Sequence, residues 1–307
     1  MESTHVTVPR AQRAFNVKLG DHAVIRVRQH GNAAGPRLML SHGNGLAIDG
    51  YFPFWGPLRE RYEVVVFDFR NHGHNPLHRE EAHGWPRFVM DLEEVLQAVN
   101  TELGHKRAAG VFHSLSGVTA ALHALQFGAR FDALVLFDPP IFPPEGHVLR
   151  GDQSQDKDSL ATRARRRTDR YADPSILAGQ FRARFTRWRP EAYELMARAT
   201  LRHDSRAGCW KLACPRELEA NVFSTNADPT LWERLGQLPV PTKLICGDPD
   251  LPEVMPPALI GRALAKQHGL PHEAIPGTTH FLQIEEPEKC ARAIESFLEP
   301  LGLAAVQ

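Results

Sequence analysis

Five stretches of this chain are apolar at nearly every position yet too short for helices: Pro36 to Ser41, Tyr62 to Asp68, Lys106 to Phe112, Ala133 to Asp138 and Thr242 to Gly247. A strand with one wet face alternates apolar and polar side chains, whereas a strand buried on both faces reads as a continuous apolar run. Such runs mark a mostly parallel sheet sandwiched between helices. A weaker strand follows at 272–275, and two alternating strands near Ala14 to Lys18 and Ala23 to Arg28 suit an exposed sheet edge. Helical patterns at about 85–103, 116–128, 254–268 and 287–299 fill the intervals. The expectation is an α/β fold built on an eight-stranded, mostly parallel sheet with helices on both faces.

The alternation stops between Asp138 and Val240. Pro139-Pro140-Ile141-Phe142-Pro143-Pro144 is a stiff exit from a strand end, and Leu238-Pro239-Val240-Pro241 brings the chain back. Between them the periodicity is helical, rich in Arg and Trp. Residues 141–238 are therefore expected to form an inserted helical cap over the strand C-termini, where open α/β sheets bind ligands. The core is then 1–140 together with 239–307. Phe181, Phe185, Trp188, Tyr193, Met196 and Trp210 either line the pocket beneath the cap or pack the cap on itself.

The chemistry centres on Val111-Phe112-His113-Ser114-Leu115-Ser116-Gly117. A strand ends at His-Ser and a small-residue helix begins at once, which holds the Ser114 hydroxyl above the sheet edge beside unpaired helix N–H groups. The pattern departs from G-x-S-x-G, with Phe112 and Ser116 in place of the two glycines. A serine hydroxyl needs a base and an orienting acid. His280 lies in a loop after the last strand and before the C-terminal helix. Asp250 follows the strand Thr242 to Gly247 at Gly-x-x-Asp spacing, with Asp248 and Asp138 as competing carboxylates. The loop His42-Gly43-Asn44-Gly45 can turn the N–H of Asn44 or Gly45 toward the serine, to form an oxyanion hole with the N–H of Leu115.

His-Gly-Asn-Gly, Asp-x-Arg-Asn-His-Gly-His-Asn, His-Ser-Leu-Ser-Gly, Gly-Asp-Pro-Asp and Thr-Thr-His-Phe, in that order, resemble the α/β-hydrolase superfamily, and most closely its lid-bearing esterase, lipase and C–C hydrolase members. The resemblance runs from about Val24 to Leu298 outside the insertion. It implies Ser114 as nucleophile, His280 as base and Asp250 as acid, with no cofactor and no metal. His113, His72 and His74 then serve as braces, since these histidines have no carboxylate or thiol at metal-ligand spacing.

Composition adds limits. The 36 basic and 36 acidic residues cancel, so nothing draws the chain toward nucleic acid or an anionic membrane. The run Arg163-Ala164-Arg165-Arg166-Arg167, followed by Arg170, could recruit an acidic substrate, but such runs are more often solvated helix faces. No stretch is apolar enough for a membrane span, and Met1 to His5 lack the start of a signal peptide. Cys209, Cys214, Cys246 and Cys290 read as reduced thiols of a cytoplasmic protein. The expected activity is a carboxylic-ester hydrolase acting on a small, largely apolar ester or lactone, with a homodimer left open. A C–C hydrolase or cofactor-free lyase using the same residues, and a non-catalytic binding protein on the same fold, are the alternatives.

Overall fold

The computed structural model describes residues 6–151, 160–225 and 227–304; Met1 to His5, on which the signal-peptide reading rests, lie outside them. Eight strands form one sheet: β1 (Arg13–Lys18), β2 (Val24–Gly31), β3 (Arg37–Ser41), β4 (Glu63–Phe67), β5 (Ala108–His113), β6 (Ala133–Phe137), β10 (Thr242–Cys246) and β11 (His272–Ala274). Their order is β1-β2-β4-β3-β5-β6-β10-β11. β1 and β2 enter antiparallel, and every later pairing is parallel.

The continuous apolar runs are explained by two cores, one on each face of the sheet. Met39, Val65, Phe67, Phe112, Leu134, Leu136 and Leu244 face one core. Their neighbours Leu38, Leu40, Val64, Val66, Val111, Val135 and Ile245 face the other. Helix α2 (Trp85–Leu103) brings Phe88, Leu92 and Val95 to the first core, together with residues of α3 (Leu115–Phe127). On the opposite face, α1 (Phe52–Leu58) contributes Phe54 and Trp55. At roughly 25 cal/mol per Å² of apolar surface removed from water, these two layers are the main source of stability.

The insertion after β6 continues the second core. Helices α4 (Pro174–Arg184) and α5 (Pro190–Ala199) place Leu177, Phe181, Tyr193 and Met196 in it, with Trp188 from the turn between them. The expectation of a purely helical insertion needs correction. β7 (Arg170–Tyr171), β8 (Leu201–Asp204) and β9 (Cys209–Leu212) form an antiparallel sheet of order β7-β9-β8. Its strands are too short to show a period of two. The turn that pairs β8 with β9 carries the signal instead: Asp204 accepts the N–H groups of Arg206 and Ala207, and Gly208 sits at φ 61°. Helix α6 (Arg216–Ser224) then leads back toward β10. Among the described residues, no helix is long and apolar enough to cross a membrane.

Candidate active site

Strand register sets the site. β5 and β6 pair with His113 opposite Phe137, and β10 lies on the far side of β6. Ser114, Asp138 and Gly247 are each the first residue past their strand, so they stand side by side at the carboxyl edge. Ser114 is held at φ 54°, ψ −115° and Asp138 at φ 44°. Backbones of this kind cost about 1–3 kcal/mol for a non-glycine residue and persist where the surroundings over-determine them. Here the surroundings are plain: Ser114 N–H donates to Phe137 O at 2.9 Å, and Asp138 N–H donates to Ile245 O at 3.0 Å.

The residues that replace the two glycines of the serine turn are both accounted for. Phe112 is fully buried, edge-on to Phe131 with ring centroids 5.7 Å apart. Room for its ring comes from Gly110, where a Cβ would stand 2.5 Å from the Phe112 ring. The needed glycine has moved two residues up the strand, to the same face. Ser116 fastens the turn, accepting the His113 N–H at 2.8 Å and donating to His113 O at 2.9 Å.

His280 lies between two groups. Its Nε2 is 3.0 Å from Ser114 Oγ and its Nδ1 is 3.0 Å from Asp138 Oδ2. With a proton on Nδ1 donated to the carboxylate, Nε2 accepts the serine hydroxyl. Asp138 is wholly buried; its other oxygen accepts the Gly247 N–H at 3.1 Å. Among the described residues its only ion-pair partner is His280.

Asp250, the acid expected from spacing, does not reach His280; Asp138 takes that place. Asp250 has an 81% exposed side chain and pairs with Arg262 at 3.1 Å. The chain turns outward because Asp248 N–H is taken by Thr278 O at 2.8 Å and the Asp248 carboxylate accepts Gly277 N–H at 2.8 Å and Asp250 N–H at 2.9 Å. Asp248 thus ties down the loop that carries His280 without touching its ring.

The glycine loop after β3 faces Ser114. A Cβ on Gly43 would stand 3.2 Å from Ser114 Cβ and 3.1 Å from His113 Nδ1, so close that these neighbours would have to give way. Gly43 N–H donates to Tyr51 Oη at 3.2 Å and Gly45 N–H to His72 Nε2 at 3.2 Å. Of the two donors expected here, Gly45 is thus occupied. No partner among the described residues takes the N–H of Asn44 or of Leu115.

The histidines around this loop are neutral braces. His113 Nε2 is 2.9 Å from His280 O, so it carries the ring proton, and Nδ1 accepts the Tyr51 hydroxyl at 2.7 Å. Burial holds its pKa well below the ordinary histidine value. His72 donates from Nδ1 to Arg70 O at 2.9 Å, and burial likewise keeps it uncharged. Arg70, itself buried, holds that turn by pairing with Asp91 at 2.5 Å and Asp21 at 2.8 Å. His74 differs: its bond to Asp49 at 2.8 Å raises its pKa.

The fold also joins a thiol to these histidines. His72, His83 and Cys214 bring ligand atoms within 4.8 Å of one another, all buried, which sequence spacing concealed. Their hydrogen bonding does not suit a cation. His83 Nδ1 faces the Asn71 amide nitrogen at 3.2 Å, because Asn71 Oδ1 accepts His78 N–H at 2.7 Å, so the proton of His83 sits on Nε2. Burial drops the His83 pKa to about 3 and pushes the Cys214 thiol up, and the Arg202 guanidinium lies nearby.

The insertion supplies an aromatic wall. Phe185 stacks on Trp188 at 4.7 Å and meets Phe281 edge-on at 4.7 Å, and Phe281 is 5.5 Å from the His280 ring. Phe181, Tyr193 and Met196 pack inward, whereas Trp210 lies on β9 against His203.

A parallel sheet with a strained serine at a strand end, a histidine bonded to it and a buried carboxylate behind is the arrangement of a hydrolase. A sequence profile described as the Alpha/beta hydrolase family matches residues 38–293. The chain belongs to that family. It is 21% identical over 286 residues to 3-oxoadipate enol-lactonase 1 of Acinetobacter baylyi, covering 90% of this chain and 94% of that protein. It is 26% identical over 121 residues to the human serine hydrolase-like protein, a stretch that spans 38% of this chain and 57% of that one. Among solved structures, E-2-(acetamidomethylene)succinate hydrolase superimposes with a TM-score of 0.75 at 19% identity, over 94% of this chain and 99% of that one, which shows the shared fold.

Proposed function

We propose that the protein is a serine hydrolase that cleaves an ester or lactone by acyl transfer to water. The observation that carries the reading is the unbroken line Ser114 Oγ, His280 Nε2, His280 Nδ1 and Asp138 Oδ2, with 3.0 Å at each hydrogen bond. Ser114 Oγ attacks the carbonyl carbon as its proton passes to His280 Nε2. Asp138 stabilises the imidazolium, and its burial with no second cation beside it among the described residues leaves that charge undivided. The N–H groups of Asn44 and Leu115 receive the oxyanion, each donor worth about 3–4 kcal/mol in sites of this type. His280 returns its proton to the leaving oxygen, then takes one from the water that releases the acyl group. The insertion acts as a cap, and its aromatic wall beside His280 excludes bulk water and favours an apolar acyl or alcohol portion. The enol-lactonase name of the Acinetobacter relative supports the lactone as one substrate form.

A fluorophosphonate probe tests the reading. Labelling of Ser114, found by mass spectrometry and abolished in both Ser114→Ala and His280→Ala, is the expected result. A folded protein whose Ser114 stays unlabelled would remove the serine-hydrolase reading and favour a binding protein.

A further inference from the structure

The loop that carries His280 is gripped from within by a carboxylate that the reaction above leaves unused. Glu285 ends the short helix Leu282–Glu285 and is buried, at 7% exposure. Both of its oxygens are taken up by one residue, the chain neighbour of His280. Oε2 accepts the Thr279 N–H and Oε1 accepts the Thr279 hydroxyl, each at 2.6 Å. Thr279 Oγ1 in turn accepts the Phe281 N–H weakly, at 3.4 Å, so the clasp reaches the residues on both sides of His280. His280 O is itself held by His113 Nε2 at 2.9 Å.

Two adjacent glutamates differ here. Glu286 is partly exposed and pairs with Lys289 at 3.3 Å, the ordinary state of a surface carboxylate. Glu285 has no ion pair among the described residues: Arg187 of the insertion, whose charge reaches it, is bonded to Glu253 instead. Tyr193 of the insertion and Cys290 of the helix Pro287–Leu298 also feel the Glu285 charge, and burial keeps both of them neutral. The remaining charged neighbour is His280. Burial raises the Glu285 pKa, against the Thr279 donors, Arg187 and His280, which favour the charged form. A neutral side chain of the same length could meet a Thr279 donor without the cost of burying a charge. What only the carboxylate adds is a pair of equivalent acceptors and a negative charge within reach of the His280 ring.

We propose that Glu285 is a positioning residue for the base: its ionised carboxylate fixes Thr279, and through it the His280 ring, and its charge favours the imidazolium that forms as Ser114 attacks. This deepens the serine-hydrolase reading and rests on it. Asp138 acts on the ring nitrogen directly, whereas Glu285 acts through the backbone and through its field.

The test follows the rate at which a fluorophosphonate labels Ser114 as a function of pH, which needs no knowledge of the substrate. The rate should rise to a plateau as His280 loses its proton. Glu285→Gln keeps one acceptor for Thr279 but removes the charge, so the midpoint of the rise should move down by about half a unit to one unit and the plateau should fall severalfold. Thr279→Val removes one strand of the clasp and leaves the charge, so the plateau should fall severalfold with the midpoint unmoved, and Thr279→Ser should restore it. A folded Glu285→Gln protein that keeps the wild-type midpoint would overturn the proposal whatever its plateau, because a merely structural clasp would behave in that way, and the hydrolase would stand. Should Glu285→Gln fail to fold, a Thr279→Val protein labelled at the wild-type rate would overturn it equally. A wild-type protein that is never labelled would remove the hydrolase reading and the role of Glu285 with it.

Discussion

Two strand ends in this molecule carry an aspartate near the candidate site, and they differ in what the carboxylate meets. At the end of β6, Asp138 is buried, strained in its backbone and bonded to the ring of His280. Beyond the end of β10, Asp248 holds backbone and Asp250 lies out in solvent on Arg262. Both ends present the residue type the chemistry asks for, and spacing within one loop favours the carboxylate that does not meet the His280 ring. The receiving geometry decides. The loop that carries His280 comes down over the β6–β10 seam, and the ring nitrogen closes on the strand that sits directly beneath.

Replacing one carboxylate at a time breaks this comparison most sharply. Asp138→Asn should lower kcat/KM by about 10⁴-fold, because the amide holds the imidazole in the wrong tautomer and cannot stabilise its cation. Asp250→Asn should change it by no more than about twofold, since an exposed ion pair with Arg262 contributes little. Steady-state kinetics on any ester the wild type turns over will decide. A comparable loss in Asp250→Asn would reverse the assignment.

The contrast also shows what the sequence makes legible. The runs in β3, β4, β5, β6 and β10 are readable because both faces are buried, and the chain has no choice but to be apolar throughout. Ser114 and His280 are readable because each sits at a fixed place relative to a strand and a helix. Asp138 is legible only as a competitor to Asp250: one residue past a strand, it reads as the strand's end as readily as an acid. Phe112 looks like a defect in the serine turn until Gly110 is seen to give its ring room, a compensation between residues that touch only in the folded strand. The small sheet of β7, β8 and β9 depends on tertiary partners, and no local period reports those.

A smaller effect is expected one step away from the ring. Tyr51 links the glycine loop to the His280 loop, accepting Gly43 N–H and donating to His113, which donates to His280 O. Tyr51→Phe leaves Gly43 N–H and His113 Nδ1 buried without partners, at a cost of about 1–3 kcal/mol. The thermal midpoint should fall by several degrees and kcat by about tenfold, with KM nearly unchanged, because Asn44 and His280 lose their common support. A fall in the midpoint with kcat intact would make Tyr51 a packing residue only.

A smaller effect than that of Tyr51 belongs to Asp248, which separates holding the histidine from holding its loop. Asp248→Ala frees Gly277 N–H and Asp250 N–H and loosens the approach to His280, so kcat should drop by about three- to tenfold through poorer alignment. The pH dependence distinguishes this from direct action on the ring. Those two N–H donors hold the Asp248 carboxyl below its ordinary value of 3.8. A carboxyl with a lowered folded pKa keeps its tether fully above the ordinary value and loses it only as pH falls through the lowered one. Between pH 6 and 8 the tether is therefore constant, and the ratio of wild-type to Asp248→Ala kcat should stay flat. A ratio that changes across that window would mean that Asp248 alters the titration of His280 itself, and the loop after β10 would share the work of the carboxylate at the end of β6.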